Sequence, residues 1–329
     1  MTTTRILVTG GAGFIGSHHV RTLLGPDGPG NVAVTVLDAL TYAGNPANLD
    51  EVRDHPGFSF VHGDICDAEL VGRLMAGHDQ VVHFAAESHV DRSIDGGAAF
   101  VRTNVVGTHT LVNAAHEAGV GTFVHVSTDE VYGSVDEGSW TEREPLAPNS
   151  PYSASKASSD LIALAYHRTH GLDVRVTRCS NNYGHHHFPE KVIPLFVTNL
   201  LEGLPVPLYG DGAHVRDWLH IDDHVQGIEL VRTQGRPGEV YNIGGGTELS
   251  NKELTRLLLE ACDADWDTDV VHVEDRKGHD RRYSVDCAKI REELGYAPRK
   301  DFRTGLAETV RWYRENRSWW EPLKERAAL

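Results

Sequence analysis

Short apolar runs recur along the first 180 residues, at Ile6 to Val8, Val32 to Leu37, Phe58 to Val61, Val81 to Phe84, Phe123 to Val126 and Val174 to Thr177. Each is brief and continuous, as a strand buried on both faces must be, and the stretches between them carry helical patterns. Together they predict a parallel sheet covered on both sides, the doubly wound α/β class. GPDGPG after Leu24 and EPLAPNSP at 144–151 read as loops within one domain, the second leading into a helix that starts near Tyr152.

Beyond Asn181 the elements shorten, with helical patterns at Asn251 to Ala261 and Thr304 to Glu315. The expected organisation is a first domain at 1–180 and a smaller C-terminal α/β lobe at 181–329. The two interleave, because 216–243 reads as a strand and helix returning to the first sheet.

Composition narrows the class without changing it. At 329 residues, 40% hydrophobic and 24% charged, the chain is of ordinary globular type with room for about two folding units. Its 31 basic and 47 acidic residues give a net charge of −16, and no basic stretch could neutralise a run of phosphates, so no nucleic-acid partner is expected. An anionic small molecule is still compatible, since a few placed arginines and a helix N-terminus suffice to bind one. Cys66, Cys179, Cys262 and Cys287 form no CxxC and no zinc spacing, which predicts reduced thiols, a cytoplasmic location and no metal. No signal peptide precedes the first strand and no apolar stretch approaches a membrane span, so no membrane partner is expected.

Three motifs carry chemistry. The first strand runs into Gly10, Gly13 and Gly16 and then a helix; such glycines allow a tight turn, close approach of backbone N–H groups to a pyrophosphate and close helix packing. Asp38, 22 residues past Gly16, closes the second strand where a carboxylate can hold a ribose 2′-hydroxyl and repel a 2′-phosphate. A Rossmann fold binding NAD rather than NADP is the prediction. Tyr152 and Lys156 lie four apart on one helix face, where an ammonium beside a phenol lowers the phenol pKa and makes it a base for an alcohol proton. Thr128, Asp129 and Glu130 follow the strand Phe123 to Val126, which puts a hydroxyl and two adjacent carboxylates at the ligand-binding end of the sheet.

With these motifs the chain resembles the extended short-chain dehydrogenase/reductase family, and within it the dTDP-glucose 4,6-dehydratase branch. The likeness runs through TGGAGFIGS at 9–17, LDALTYAGN at 37–45, GDI at 63–65, AAESHVDRS at 85–93, STDEVYG at 127–133, YSASK at 152–156, NNYG and FPEK within 181–191, VRDWLHIDDH at 215–224, YNIGGGTELSN at 241–251 and DRKGHDRRYSVD at 275–286. It implies catalytic roles for Thr128, Asp129, Glu130, Tyr152 and Lys156. Cofactor contacts are implied for Gly10, Gly13, Phe14, Ile15, Gly16, Asp38, Leu40, Thr41, Asp64, Ile65, Ala85, Ala86, Ser88, Thr103 and Asn182, besides Tyr152 and Lys156. A nucleotide-sugar wall is implied at Ser88, Thr128, Asn181, Lys191, Val192, Pro207, Tyr209, Arg216, Asn251, Asp275, Arg276 and His279.

The implied activity is conversion of dTDP-glucose to its 4-keto-6-deoxy product and water through bound NAD, in deoxysugar biosynthesis. Resembling epimerases carry small or hydroxyl residues at the Asp129 and Glu130 positions, and GDP-mannose dehydratases a serine at the first. A homodimer is implied, joined along helices near Asn104 to Glu117 and Tyr152 to His170. One departure stands out: His185, His186 and His187 replace the family's proline and aromatic residue after NNYG. Contiguous side chains rarely converge on one ion and no carboxylate or cysteine partner is evident in sequence, so loop variation is the expectation there.

Overall fold

The computed structural model describes residues 3–327. Seven strands form one parallel sheet: β1 (Thr4–Thr9), β2 (Val32–Asp38), β3 (Phe58–His62), β4 (Gln80–His83), β5 (Thr122–Thr128), β6 (Val174–Cys179) and the late strand β10 (Val240–Ile243). Their order is β10-β6-β5-β4-β1-β2-β3. This is the doubly wound fold the pattern predicts. Along β1, Ile6 and Val8 enter one apolar layer and Leu7 the other. Successive strand residues face opposite sides, and with both sides dry the run is continuously apolar.

The remaining strands are β7 (Asn181–Tyr183), β8 (Val206–Tyr209), β9 (Val215–His220), β11 (Glu248–Ser250) and β12 (Val270–Val273), forming a three-stranded sheet β11-β9-β7 and a pair β12-β8. Helices Val192–Leu201, Asn251–Cys262 and Phe302–Glu315 cover them around Phe196, Trp218, Leu254, Leu306 and Trp320.

The return to the main sheet is narrower than expected. Helix Ile221–Gln234 buries Ile228 and Val231 in the main core, and β10 pairs with β6. Strand β9 instead stays in the small sheet and bridges the two cores, with Trp218 in one and Leu219 in the other. Its period-two alternation is what lets one strand serve both.

Two features position the site. The chain runs outward from β1 through β2 to β3 and then restarts with β4 on the other side of β1, so loops diverge at the carboxyl ends of β1 and β4 and open a crevice. Beside it, residues Val101–Gly107 form a π-helix. There Asn104 accepts from Glu87 N and donates to Glu87 O, both at 2.9 Å, and donates to Ser155 Oγ at 2.8 Å. This amide ties the loop after β4 to helix Pro151–His170. Far along the chain, Trp319 Nε1 donates to Asn48 Oδ1 at 2.9 Å, closing the C-terminal helix over the first domain.

Candidate active site

The crevice is a cleft of about 480 Å³. Its cofactor side is cut to a backbone-sized clearance. A Cβ on Gly10, whose φ is +68°, would lie 2.6 Å from Ala85 N, and one on Gly16 would lie 2.3 Å from Gly10 O. Gly13 caps helix Phe14–Leu24 with no side-chain hydrogen bond, so the first-turn N–H groups at the cleft wall lack a side-chain acceptor. Asp38 accepts from Ala12 N at 2.9 Å and Leu40 N at 2.8 Å, which fixes its carboxylate at the cleft edge. This shape and these donors fit a dinucleotide, whose pyrophosphate needs N–H groups without a covering side chain.

Ser150 caps helix Pro151–His170 through a reciprocal bond pair with Ser153 and so sets where Tyr152 and Lys156 emerge. Lys156 Nζ donates to Val126 O at 2.8 Å, and burial lowers its pKa to about 8. The expected softening of the phenol is not what the structure has. Burial, and then the Glu130 charge, hold Tyr152 well above an ordinary phenol, opposed by a hydrogen bond to Thr128. A positive charge brought into the cleft would favour its phenolate.

The two neighbouring carboxylates have different surroundings. Residues Asp129–Tyr132 form a 3-10 turn capped by Thr128 Oγ1, which accepts from Glu130 N at 3.2 Å. A turn of that kind rotates successive side chains by about 120°. Glu130 faces the cleft, while Asp129 sits behind it, 3% exposed, with Oδ1 held by Thr128 Oγ1 at 3.3 Å and Oδ2 without a partner. Burial and the Glu130 and Asp217 charges push Asp129 well above the carboxylate range. Burial raises Glu130 too, but Arg276, Arg216 and Lys191 oppose it.

Those three cations all line the cleft. Lys191 Nζ donates to Ser88 O at 2.7 Å, Arg216 Nη2 to Asp280 O at 2.9 Å, and Arg276 keeps a buried Nε without a partner. Asn181 and Asn182 each keep a buried amide oxygen unpaired. Of the residues singled out from sequence, all line the cleft except Leu40, Asp129 and Asp275. Leu40, at φ +49°, turns the chain behind Asp38. Asp275 is held by His279 Nδ1 at 2.6 Å and lies 3.4 Å from His214 Nε2.

The sequence motifs missed several neighbours. The Tyr283 hydroxyl donates to Asp280 Oδ2 at 2.6 Å and lies 3.5 Å from Glu130 Oε2, with the Arg216 guanidinium 4.2 Å over its ring. Glu190 pairs with Arg92 at 3.3 Å, and His187 stacks on Phe14 at 4.1 Å. Only the first two fall in blocks that the family resemblance marked. The histidine run does gain a carboxylate neighbour, contrary to the sequence reading: Asp222, at the start of helix Ile221–Gln234, comes close to His18 and His185.

Residues 7–309 match the family model described as GDP-mannose 4,6 dehydratase. A dTDP-glucose 4,6-dehydratase from Streptomyces griseus is 68% identical over 327 residues, covering 99% of both chains. The chain belongs to the dTDP-glucose 4,6-dehydratase family. DesIV, the dTDP-glucose 4,6-dehydratase of Streptomyces venezuelae solved with NAD bound, superposes at a TM-score of 0.95 with 65% identity, covering 97% of this chain and all of that one. The Bacillus anthracis dTDP-glucose 4,6-dehydratase, also solved with NAD, gives 0.90 at 48% identity, covering 98% of this chain and 100% of that one. Within a dTDP-glucose 4,6-dehydratase fold, Glu130, the Tyr-Lys helix and the glycine turn share one cleft, with Asp129 buried behind it.

Proposed function

We propose that this chain converts dTDP-glucose to dTDP-4-keto-6-deoxy-glucose and water, with NAD as a retained cofactor, for deoxysugar biosynthesis. The observation that carries the reading is the pair Asp129 and Glu130, adjacent on one 3-10 turn, with burial and then like charges raising the first, and burial opposed by three cations acting on the second. A proton donor beside a proton acceptor is what elimination across adjacent carbons requires.

In this scheme Tyr152 takes the proton of the C4 hydroxyl and Thr128 Oγ1 hydrogen-bonds the same oxygen. NAD, held by the glycine turn and Asp38, would supply reversible hydride chemistry at C4 and C6 and a positive charge in the cleft. Lys156, anchored on Val126, supports the Tyr152 phenolate. The C4 ketone acidifies the C5 proton, which Glu130 removes. Asp129, whose protonated form is favoured by burial and then by the Glu130 and Asp217 charges, turns into the cleft and protonates the C6 hydroxyl, which departs as water. Glu130 returns a proton to C5 as C6 is reduced, so the sugar loses one water with no net oxidation. Lys191, Arg216 and Arg276 hold the diphosphate, with Asn181, Asn251 and Tyr209 on the nucleotide-sugar wall.

We assign cofactor binding to residues 1–180 with the returning segment, and sugar binding to the lobe at 181–329. The working form is a cytoplasmic homodimer. Exposed Val101, Val106 and Leu161 on Val101–Gly107 and Pro151–His170 support a shared helical seam. The four cysteines are free, and among the described residues no helix is long and apolar enough to cross a membrane. Incubation with dTDP-, UDP- and GDP-glucose tests the assignment: a 4-keto-6-deoxy product is expected from dTDP-glucose, and its formation only from another nucleotide sugar overturns it.

A further inference from the structure

We propose that His18, His185 and Asp222 form a binding site for a divalent ion of the zinc type, outside the cleft. His18 lies on helix Phe14–Leu24, His185 in the loop after β7 and Asp222 in the first turn of Ile221–Gln234. Each offers one donor atom, and the three atoms lie within 4.8 Å of one another.

Two imidazole nitrogens and a carboxylate oxygen are a borderline donor set, suited to zinc, cobalt or nickel rather than to magnesium or calcium. A tetrahedral ion with bonds of about 2.0–2.1 Å needs donors roughly 3.3 Å apart. His18 Nε2 and Asp222 Oδ1 already meet this at 3.0 Å, so His185 has to close in, and the Asp222 side chain, 48% exposed, has room to adjust. A second ring of contacts suits the role. His185 Nδ1 is 2.7 Å from His186 Nδ1, so His185 donating there leaves its Nε2 lone pair for an ion. His220 Nδ1 accepts from Asp222 N at 3.2 Å, which fixes the start of the helix that carries the carboxylate.

Two cations stand against an ion here. Lys300 Nζ is 3.7 Å from Asp222 Oδ2, but it also holds Glu308 at 2.8 Å and is not stranded if Asp222 turns away. Arg21 Nη2 is 3.3 Å from His18 Nδ1, and Arg21 keeps Ser17 Oγ and Asn48 O through Nη1 when that contact opens. A bound ion pins the loop 184–187 to two helices. His187 in that loop stacks on Phe14 at the cleft, so the ion braces the cofactor floor from behind.

The test uses chelator-stripped protein titrated with zinc chloride, followed by calorimetry and thermal unfolding, and with cobalt chloride, followed by visible absorption. One tight equivalent per chain, a higher Tm and a cobalt spectrum of nitrogen–oxygen ligation are expected. His185→Gln and Asp222→Asn should each weaken that equivalent more than tenfold. Lys300→Gln, which removes the competing ammonium, should tighten it several-fold. This last variant keeps the proposal testable if a ligand substitution fails to fold. Absence of a tight equivalent in the unaltered protein overturns the site. So does an equivalent unchanged in the His185 and Asp222 variants, which would place zinc elsewhere, for instance on His214, Asp275 and His279.

Discussion

Asp160 follows Lys156 by one helical turn and binds Arg178 through Oδ2 at 2.9 Å, while its Oδ1 lies 3.2 Å from His125 Nε2, all of them buried. Burial lowers Lys156 to about 8, and the Asp160 charge is the largest influence opposing that fall. A lysine with a lowered folded pKa binds fewer protons than in the unfolded chain between about 8 and its ordinary 10.5. Its contribution to stability therefore rises with pH across that window. Asp160→Asn should deepen the fall, extend the window downward, and move the alkaline limb of kcat/KM toward acid. It should also cost ~3–5 kcal/mol by leaving Arg178 buried without its carboxylate. Urea unfolding and a pH–rate profile read both; an unmoved limb would exclude electrostatic support of Lys156.

The two half-reactions should separate by substitution. Tyr152→Phe removes the C4 base and should lower kcat by about 10²–10⁴ with no build-up of reduced cofactor. Asp129→Asn with Glu130→Gln should leave the oxidation intact and allow reduced cofactor to accumulate. Rapid-mixing absorbance at the reduced-nicotinamide band distinguishes them, and silence from both variants removes the division of labour.

Hydrogen bookkeeping gives an independent check. With C4-deuterated dTDP-glucose in ordinary water the label should appear in the C6 methyl, and with unlabelled substrate in D2O C5 should take deuterium, because Glu130 exchanges with solvent. NMR of the product reads both positions. Loss of deuterium to the medium contradicts a retained cofactor.

Asp38 should select the cofactor. Denatured protein is expected to release NAD, and recovery of mainly NADP would count against the assignment. Asp38→Ala should also cost ~1–3 kcal/mol for the buried N–H left unpaired at Ala12, and less for the half-buried one at Leu40.

Leu161→Glu tests the helical seam. Leu161 is 56% exposed in the single chain, so the change should leave the fold intact and shift the mass measured by light scattering from dimer toward monomer.

What the sequence made legible was local. The first six strands of the main sheet, the glycine turn and the Tyr152–Lys156 face each rest on a short-range period. The placements it missed depend on contacts between distant segments. Strand β9 divides Trp218 and Leu219 between two cores, so its apolar run could not say which sheet it joins. Tyr283 reaches Glu130 across 153 residues, and Asp222 reaches His18 through helix packing. Asp129 is a different case: the motif identified it, but only the 3-10 turn shows that it faces away from Glu130.

The bond from Trp319 to Asn48 has a consequence for synthesis of the chain. The glycine turn, Asp38 and the strands around them leave the ribosome early, but the clasp over Asn48 comes from residue 319 and the β10 edge of their sheet from residues 240–243. A nascent chain thus has the nucleotide-binding turn long before it has the sheet edge and the cover. Slowing translation over the last hundred residues should prolong the life of an open, chaperone-accessible first half, whereas slowing it over the first hundred should not.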